Sequence, residues 1–197
     1  MLSVRNISLE RYFEPVFKPA SFTVSAGEIL LLSGDNGAGK TTLIRILAGV
    51  LQPSQGELEC SAQTKIYIGH QLAVKDDLSV MENIDFMRKF VGSSDQSTVQ
   101  IVKRAGLGRV AGQAARTLSA GQRKRCALAR LLFAGTGLWL LDEPYANLDK
   151  NGISMLDELL RKNIDSGGAC ILTTHGSLRP EGFEMQEYEV ISGAFSA

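Results

Sequence analysis

The 197-residue sequence has no excess charge of either sign, with 21 lysines and arginines against 21 aspartates and glutamates. A chain balanced in this way carries no global electrostatic footprint for nucleic acid or anionic lipid, although a local patch stays open. Cysteine is scarce: Cys60, Cys126 and Cys170 lie far apart. An odd, dispersed set excludes a disulfide scaffold. Each lies among apolar or small residues, as a buried thiol does, which fits a reducing compartment. Histidine is scarcer, at two, and His70 has no cysteine or histidine nearby in sequence with which to build a zinc site. Five prolines and scattered glycines, with no repeat and no low-complexity tract, exclude collagen-like chains, disordered tails and interdomain linkers.

Long apolar runs are also missing. The stretch from Cys126 to Leu141 is interrupted by Arg130 and broken at Gly135-Thr-Gly137, well short of the roughly 20 residues that span a bilayer. At a membrane, another chain would have to supply the span. Met1 to Glu10 has no basic segment followed by an apolar one, so no secretory signal is expected, and no appended regulatory domain is expected after Gly193-Ala-Phe-Ser-Ala197. What is present is 44% hydrophobic and 21% charged residues, the composition of one soluble globular domain.

Ser21-Phe-Thr-Val-Ser25 alternates like a half-buried strand, and Ile29-Leu-Leu-Leu-Ser33 is continuously apolar, like a strand covered on both faces. Lys40 to Leu51 spaces Leu43, Ile44, Ile46 and Leu47 as a helix before Pro53 and Gly56. Ile66-Tyr-Ile-Gly69 is a short strand. The middle third reads as helical, with a capping box at Ser79-x-x-Glu82 and an apolar face of Val99, Val102 and Leu107 between Asp95 and Leu107. The sheet pattern returns at Gly137 to Leu141 and Ala169 to Thr174. Between them Asp149 to about Ile164 is a helix buried through Ile153, Leu156, Leu159 and Leu160. The ends of the chain therefore build a mainly parallel α/β sheet, with a helical insert between them.

Gly34-Asp35-Asn36-Gly37-Ala38-Gly39-Lys40-Thr41 fits the phosphate-loop pattern and lies between a strand and a helix, where the physics requires it. Its backbone N–H groups and the helix dipole would cradle phosphate, Lys40 would neutralise β/γ charge, and the Thr41 hydroxyl would ligate Mg²⁺. The plain alternative is a glycine turn with an exposed lysine. Leu138-Trp-Leu-Leu-Asp142-Glu143-Pro144 delivers two carboxylates to the end of a buried strand, which is costly unless a cation waits there. Asp142 would anchor the hydrated metal and Glu143 would polarise a water, against the alternative of an acidic turn.

Leu118-Ser119-Ala120-Gly121-Gln122 opens a helix with capping-box spacing, and local physics leaves open whether this is an ordinary helix start or a second anion site serving another copy's nucleotide. Gly121 in that first turn would let a ligand approach closely. Gln71 by itself signals almost nothing. His175, after a sheet strand, is either structural or aimed at the γ-phosphate.

Phosphate loop, Gln71, Leu118-Ser-Ala-Gly-Gln122, Leu141-Asp-Glu-Pro144, Asn147-Leu-Asp149 and Thr174-His175 occur in that order. The set resembles the ATP-binding-cassette (ABC) ATPases across essentially the whole chain, and the resemblance decides for the second anion site. It implies one ATP-binding domain over 1–197, with an N-terminal antiparallel β portion, a core at 1–71 and 134–197 and a helical subdomain at about 72–133. ATP would be held by Gly34 to Thr42, with Thr42 following Thr41, and Mg²⁺ by Thr41, Gln71 and Asp142. Glu143 would be the general base, with Lys40 and His175 at the γ-phosphate. Ser119, Gly121 and Gln122 would meet the ATP of a second copy, Asp149 would line the interface with that copy, and Tyr12, one residue out of the expected register, or Phe13 or Phe17 would stack on adenine. Ala120 in place of a second glycine, and Ala146-Asn147 before Leu148-Asp149, are mild departures.

Within that superfamily the chain is similar to the ATP-binding subunits of the haem exporter of cytochrome c-type biogenesis, through Ile68-Gly-His-Gln71 followed by Lys75, Glu82-Asn83, Leu138-Trp139 and Ile171-Leu-Thr-Thr-His175. That likeness implies integral membrane partners and a peripheral place on the cytoplasmic side of the inner membrane. Two rival readings are an ATP-dependent binding module and the ATPase of an unrelated permease. A small-molecule phosphotransferase would lack the serine-glycine-glutamine motif, and soluble DNA-repair or ribosome-associated cassettes would need a coiled-coil insertion or two cassettes in one chain.

Overall fold

The computed structural model describes residues 1–91, 96–174 and 179–193. The chain divides into two compact units: Met1–Gly69 with Thr136–Glu143 and Asn163–Ala197, and His70–Gly135 with Pro144–Lys162.

In the first unit, β1 (Leu2–Ser8) leads to a tight hairpin of β2 (Glu10–Arg11) and β3 (Glu14–Pro15), then to β4 (Ala20–Val24) and β5 (Ile29–Ser33). Helix α1 (Lys40–Leu47) is followed by β6 (Gln55–Cys60) and β7 (Lys65–Ile68). One antiparallel sheet has the order β4-β1-β6. In the second unit, α2 (Val80–Val91), α3 (Thr98–Arg104) and α4 (Ala120–Leu128) are joined by turns. The chain returns to the first unit for β8 (Leu138–Leu141), runs through α5 (Lys150–Asp165), and ends with β9 (Ala169–Thr173) and β10 (Gln186–Glu189). The five-stranded sheet β10-β5-β9-β8-β7 is parallel throughout.

The apolar runs explain this order. Ile29 to Leu32 are all buried, and Leu30 and Leu32 share one core with Leu43, Ile44, Ile46 and Leu47 of α1, Leu138 and Leu140 of β8 and Ile171 of β9. Burying such a side chain contributes about 2 kcal/mol. Helix α1 stops at Leu47, short of the expected Leu51, because Gly49 takes a left-handed φ of 78°. Its N–H donates to Ile46 O while that of Val50 reaches back to Arg45 O, closing the helix in a Schellman arrangement.

Among the described residues, the second unit has three capping boxes. Ser79 and Glu82 exchange bonds as expected, as do Ser119 and Gln122. The third, Ser97 with Gln100, starts α3 at Thr98. This shifts the expected helix: Ile101 and Val102 are its buried residues and Val99 is 64% exposed. Asp95 lies outside the described residues. Asn83, only 2% exposed, clamps the turn ahead of α2, accepting from Lys75 N and donating to the carbonyls of Lys75, Leu78 and Ser79.

Asp85 joins α2 to α3, accepting from Thr98 Oγ1 at 2.7 Å and pairing with Lys89 Nζ at 2.7 Å. The Lys89 bond, then the Thr98 hydroxyl, hold its carboxyl well below the usual range, at about 2. A depressed folded-state pKa contributes stability above the unfolded value and loses it as pH falls through the folded one. Asp85→Asn should therefore lower Tm at neutral pH, with the gap to the parent chain closing between about pH 4 and pH 2 in a thermal-melt series.

Cys126 and Cys170 are buried, and burial raises both thiols, Cys126 to about 11. Cys60 is exposed, contrary to its apolar sequence setting, because the strand that carries it, β6, turns most of its residues to solvent. Among the described residues no helix is long and apolar enough to cross a membrane.

Candidate active site

Strand β5 delivers Gly34 to the C-terminal edge of the parallel sheet, where α/β folds bind ligands. The loop that follows ends at Gly39, the N-cap of α1, with φ 102°. A Cβ at Gly39 would lie 2.9 Å from Phe17 Cδ1, so conformation and space both demand glycine there. Lys40 is buried, and its ammonium donates to Gly34 O at 2.6 Å and Asp35 O at 2.9 Å, so the cation is fixed to the loop that carries Asp35, Asn36, Gly37 and Ala38. Thr41 and Thr42 occupy the first turn of α1.

Strand β8 brings Asp142 to the same edge. Thr41 Oγ1 donates to Asp142 Oδ1 at 3.2 Å, across 101 residues of sequence. Thr173 Oγ1, at the end of β9, donates to the same oxygen at 2.7 Å and accepts from the Glu143 N–H at 2.9 Å. Glu143 has φ 49°, a left-handed conformation that costs a non-glycine residue about 1 kcal/mol or more. The structure thus joins Lys40, Thr41, Asp142 and Glu143 in one unit and adds Thr173, whose only sequence signal is a hydroxyl at the end of an otherwise apolar strand. His175 lies outside the described residues.

Tyr12 and Phe13 form the two-residue turn between β2 and β3, with φ of 53° and 66°. That backbone is the one normally filled by Asn-Gly, and here it holds two aromatic rings that are 97% and 98% exposed. Next along the chain, Val16 and Phe17 lie against Gly39 of the phosphate loop.

The second unit carries Gln71, Ser119, Gly121, Gln122 and Asp149. Gln71 is exposed, and the carbonyl of its neighbour Leu72 accepts from Arg130 at 2.7 Å. Ser119 caps α4, accepting from Gln122 N while Gln122 Oε1 accepts from Ser119 N. A Cβ at Gly121 would meet Asn147 O at 2.5 Å, so the expected freedom for a ligand is joined by a packing demand inside the unit. Asp149 accepts from Gly152 N at 3.0 Å, capping α5, and pairs with Arg125 at 3.5 Å. Arg125 is a residue that sequence reasoning missed, and it ties the last turn of α4 to the turn before α5.

The arrangement on the first unit suits phosphate and a counter-ion. The ABC transporter family profile matches residues 17–146. The cytochrome c biogenesis ATP-binding export protein CcmA of Xanthomonas campestris pv. campestris is 44% identical over 187 residues, covering 90% of this chain and 87% of its own. That of Chelativorans is 40% identical over 190 residues, covering 92% and 94%. Among solved structures, an ABC transporter ATP-binding protein from Pyrococcus furiosus superposes with a TM-score of 0.78 at 20% identity, covering 97% of this chain and 98% of its own. A dimeric ATP-binding cassette in a post-hydrolysis state with ADP and phosphate superposes with a TM-score of 0.77 at 23% identity, covering 89% and 88%. At these identities the superpositions establish the fold, a phosphate-loop cassette. The family match and the relatives' identity establish the kinship: the chain belongs to the ABC transporter family of ATPases.

Proposed function

We propose that this chain is the ATP-hydrolysing subunit of a membrane transport complex of the haem-exporter type in cytochrome c-type biogenesis, acting as a pair of copies on the cytoplasmic face of the inner membrane. The observation that carries the hydrolytic part is the carboxylate pair Asp142-Glu143, tied to the phosphate loop through Thr41 and to the neighbouring strand through Thr173. The haem-exporter part is supported by relatives of that name at 44% and 40% identity. Both units belong, on this reading, to one ATP-binding domain over 1–197.

The donors fit Mg²⁺. Thr41 and Asp142 offer hard oxygens 3.2 Å apart, and among the described residues no group of three or more His, Cys, Asp or Glu could hold a metal alone. A cation that keeps several waters and takes the rest of its ligands from phosphate needs only such a partial site. Thr41, Asp142 and Gln71 would hold it, and when bound it neutralises developing phosphate charge. Lys40 binds the β/γ-phosphates, and the loop N–H groups from Gly34 to Thr42 orient them. Glu143 takes the proton of the attacking water, and His175 senses the γ-phosphate. Tyr12 stacks on adenine. Ser119, Gly121 and Gln122 reach the ATP of the second copy and Asp149 lines the interface, so that two nucleotides tether the pair until hydrolysis releases it.

The test is to capture Glu143→Gln with MgATP from gently solubilised membranes and identify the chains that copurify. Haem-handling membrane subunits are the expected result. An unrelated permease overturns the haem assignment and keeps the ATPase; recovery of no membrane protein overturns the transport reading.

A further inference from the structure

Thr173 is fully buried, and its hydroxyl bonds to both members of the carboxylate pair. It donates to Asp142 Oδ1 at 2.7 Å and accepts from the Glu143 N–H at 2.9 Å. The placement follows from the sheet. In the parallel register Leu141 faces Leu172, so the next step sets Thr173 beside Asp142 just where β8 ends. Every other residue of β9, from Ala169 to Leu172, is apolar and buried. A hydroxyl desolvated among such neighbours is costly unless it is bonded, and here both bonds go to the two residues that would carry the chemistry. The backbone of Glu143 is moreover held at φ 49°, a conformation that persists only where the surroundings over-determine it.

We propose that Thr173 is a positioning residue for hydrolysis, in which one buried hydroxyl ties the Asp142 carboxylate to the strained backbone of Glu143 and so fixes the direction in which the Glu143 carboxylate points. This rests on the reading of Glu143 as the general base. Asp142 is also held by Thr41 from the phosphate loop, so Thr173 completes a chain of contacts from loop to base: Thr41, Asp142, Thr173, Glu143. Thr173 touches no reacting atom. Its effect belongs on the chemical step, where a displacement of about 1 Å costs about a hundredfold.

The experiment compares Thr173→Val, Thr173→Ser and Glu143→Gln in the full chain, measuring single-turnover MgATP hydrolysis in the membrane-extracted complex and ATP affinity by equilibrium binding. Valine keeps the shape and removes the hydroxyl. The expected result is a rate lower by about tenfold to a hundredfold in Thr173→Val with ATP affinity unchanged within about threefold, the signature of an interaction needed in the transition state. Thr173→Ser, which returns the hydroxyl, should recover most of the rate. If the valine chain does not fold, Thr173→Ala, which cannot overpack, carries the same expectation. The proposal is overturned if removal of the hydroxyl leaves the rate unchanged, if serine and valine slow it equally, or if only ATP affinity falls. A Glu143→Gln chain that turns over normally would instead overturn the base assignment. A stalled Glu143→Gln beside a fast Thr173→Val sinks the positioning role alone.

Discussion

Replacing Glu143 by glutamine is expected to lower ATP turnover by about a hundredfold or more, the usual contribution of a positioned general base, while leaving ATP binding intact. The two side chains have the same shape, and the neutral amide cannot take a proton from water. The backbone that positions the residue, with its left-handed φ of 49° and its N–H bonded to Thr173 Oγ1, is untouched by the exchange. The phosphate loop, Lys40 and Thr41 also stay in place, so nucleotide should still bind and remain bound. A hundredfold loss corresponds to about 2.7 kcal/mol in the barrier. Stopped-flow phosphate release checks the rate, and gel filtration with MgATP checks the accompanying expectation that the stalled chain accumulates as a pair. Glu143→Gln turning over at the parent rate removes the residue from its role.

Much of this site was legible in the residue pattern because phosphate loops rely on short-range spacing. Glycine, lysine and threonine at fixed offsets between a buried strand and a helix leave few alternatives, and two capping boxes, at Ser79 and Ser119, were readable for the same reason. The strands β6 and β10 were not. Gln-Gly-Glu-Leu-Glu-Cys and Gln-Glu-Tyr-Glu lie at sheet edges with most of their residues in solvent, so no apolar period announces them. Asn6, at φ 49° beside a register shift in β1, breaks the alternation that would have marked the first strand.

Contacts distant in sequence were hidden altogether. Thr173 meets Asp142 across 31 residues, and nothing near either one encodes the meeting. Gly121 is the instructive case. Its place in the first turn of a helix suggested room for a ligand, yet the nearest constraint is the carbonyl of Asn147, 26 positions away, at 2.5 Å from a would-be Cβ.

Lys40→Met should weaken MgATP binding by about tenfold to a hundredfold, equivalent to about 1.4 to 2.7 kcal/mol, the range for a hydrogen bond to a charged group. The argument starts from what the lysine does in the loop. Its ammonium is buried and donates to Gly34 O and Asp35 O at 2.6 and 2.9 Å. Methionine retains most of the apolar stem but supplies neither the donors nor the charge, so two loop carbonyls lose their partner and, on the proposed reading, the phosphates lose theirs. The loop geometry and the phosphate contact should therefore fail together. Arginine is no rescue, because its planar fork cannot occupy the space of a compact ammonium held against two carbonyls. Lys40→Arg should accordingly resemble Lys40→Met more than the parent chain. Isothermal titration of ATP with and without Mg²⁺ separates the contributions: a loss of similar size in both conditions assigns the effect to the lysine and its loop, whereas a loss confined to the Mg²⁺ titration would shift it to the Thr41–Asp142 pair.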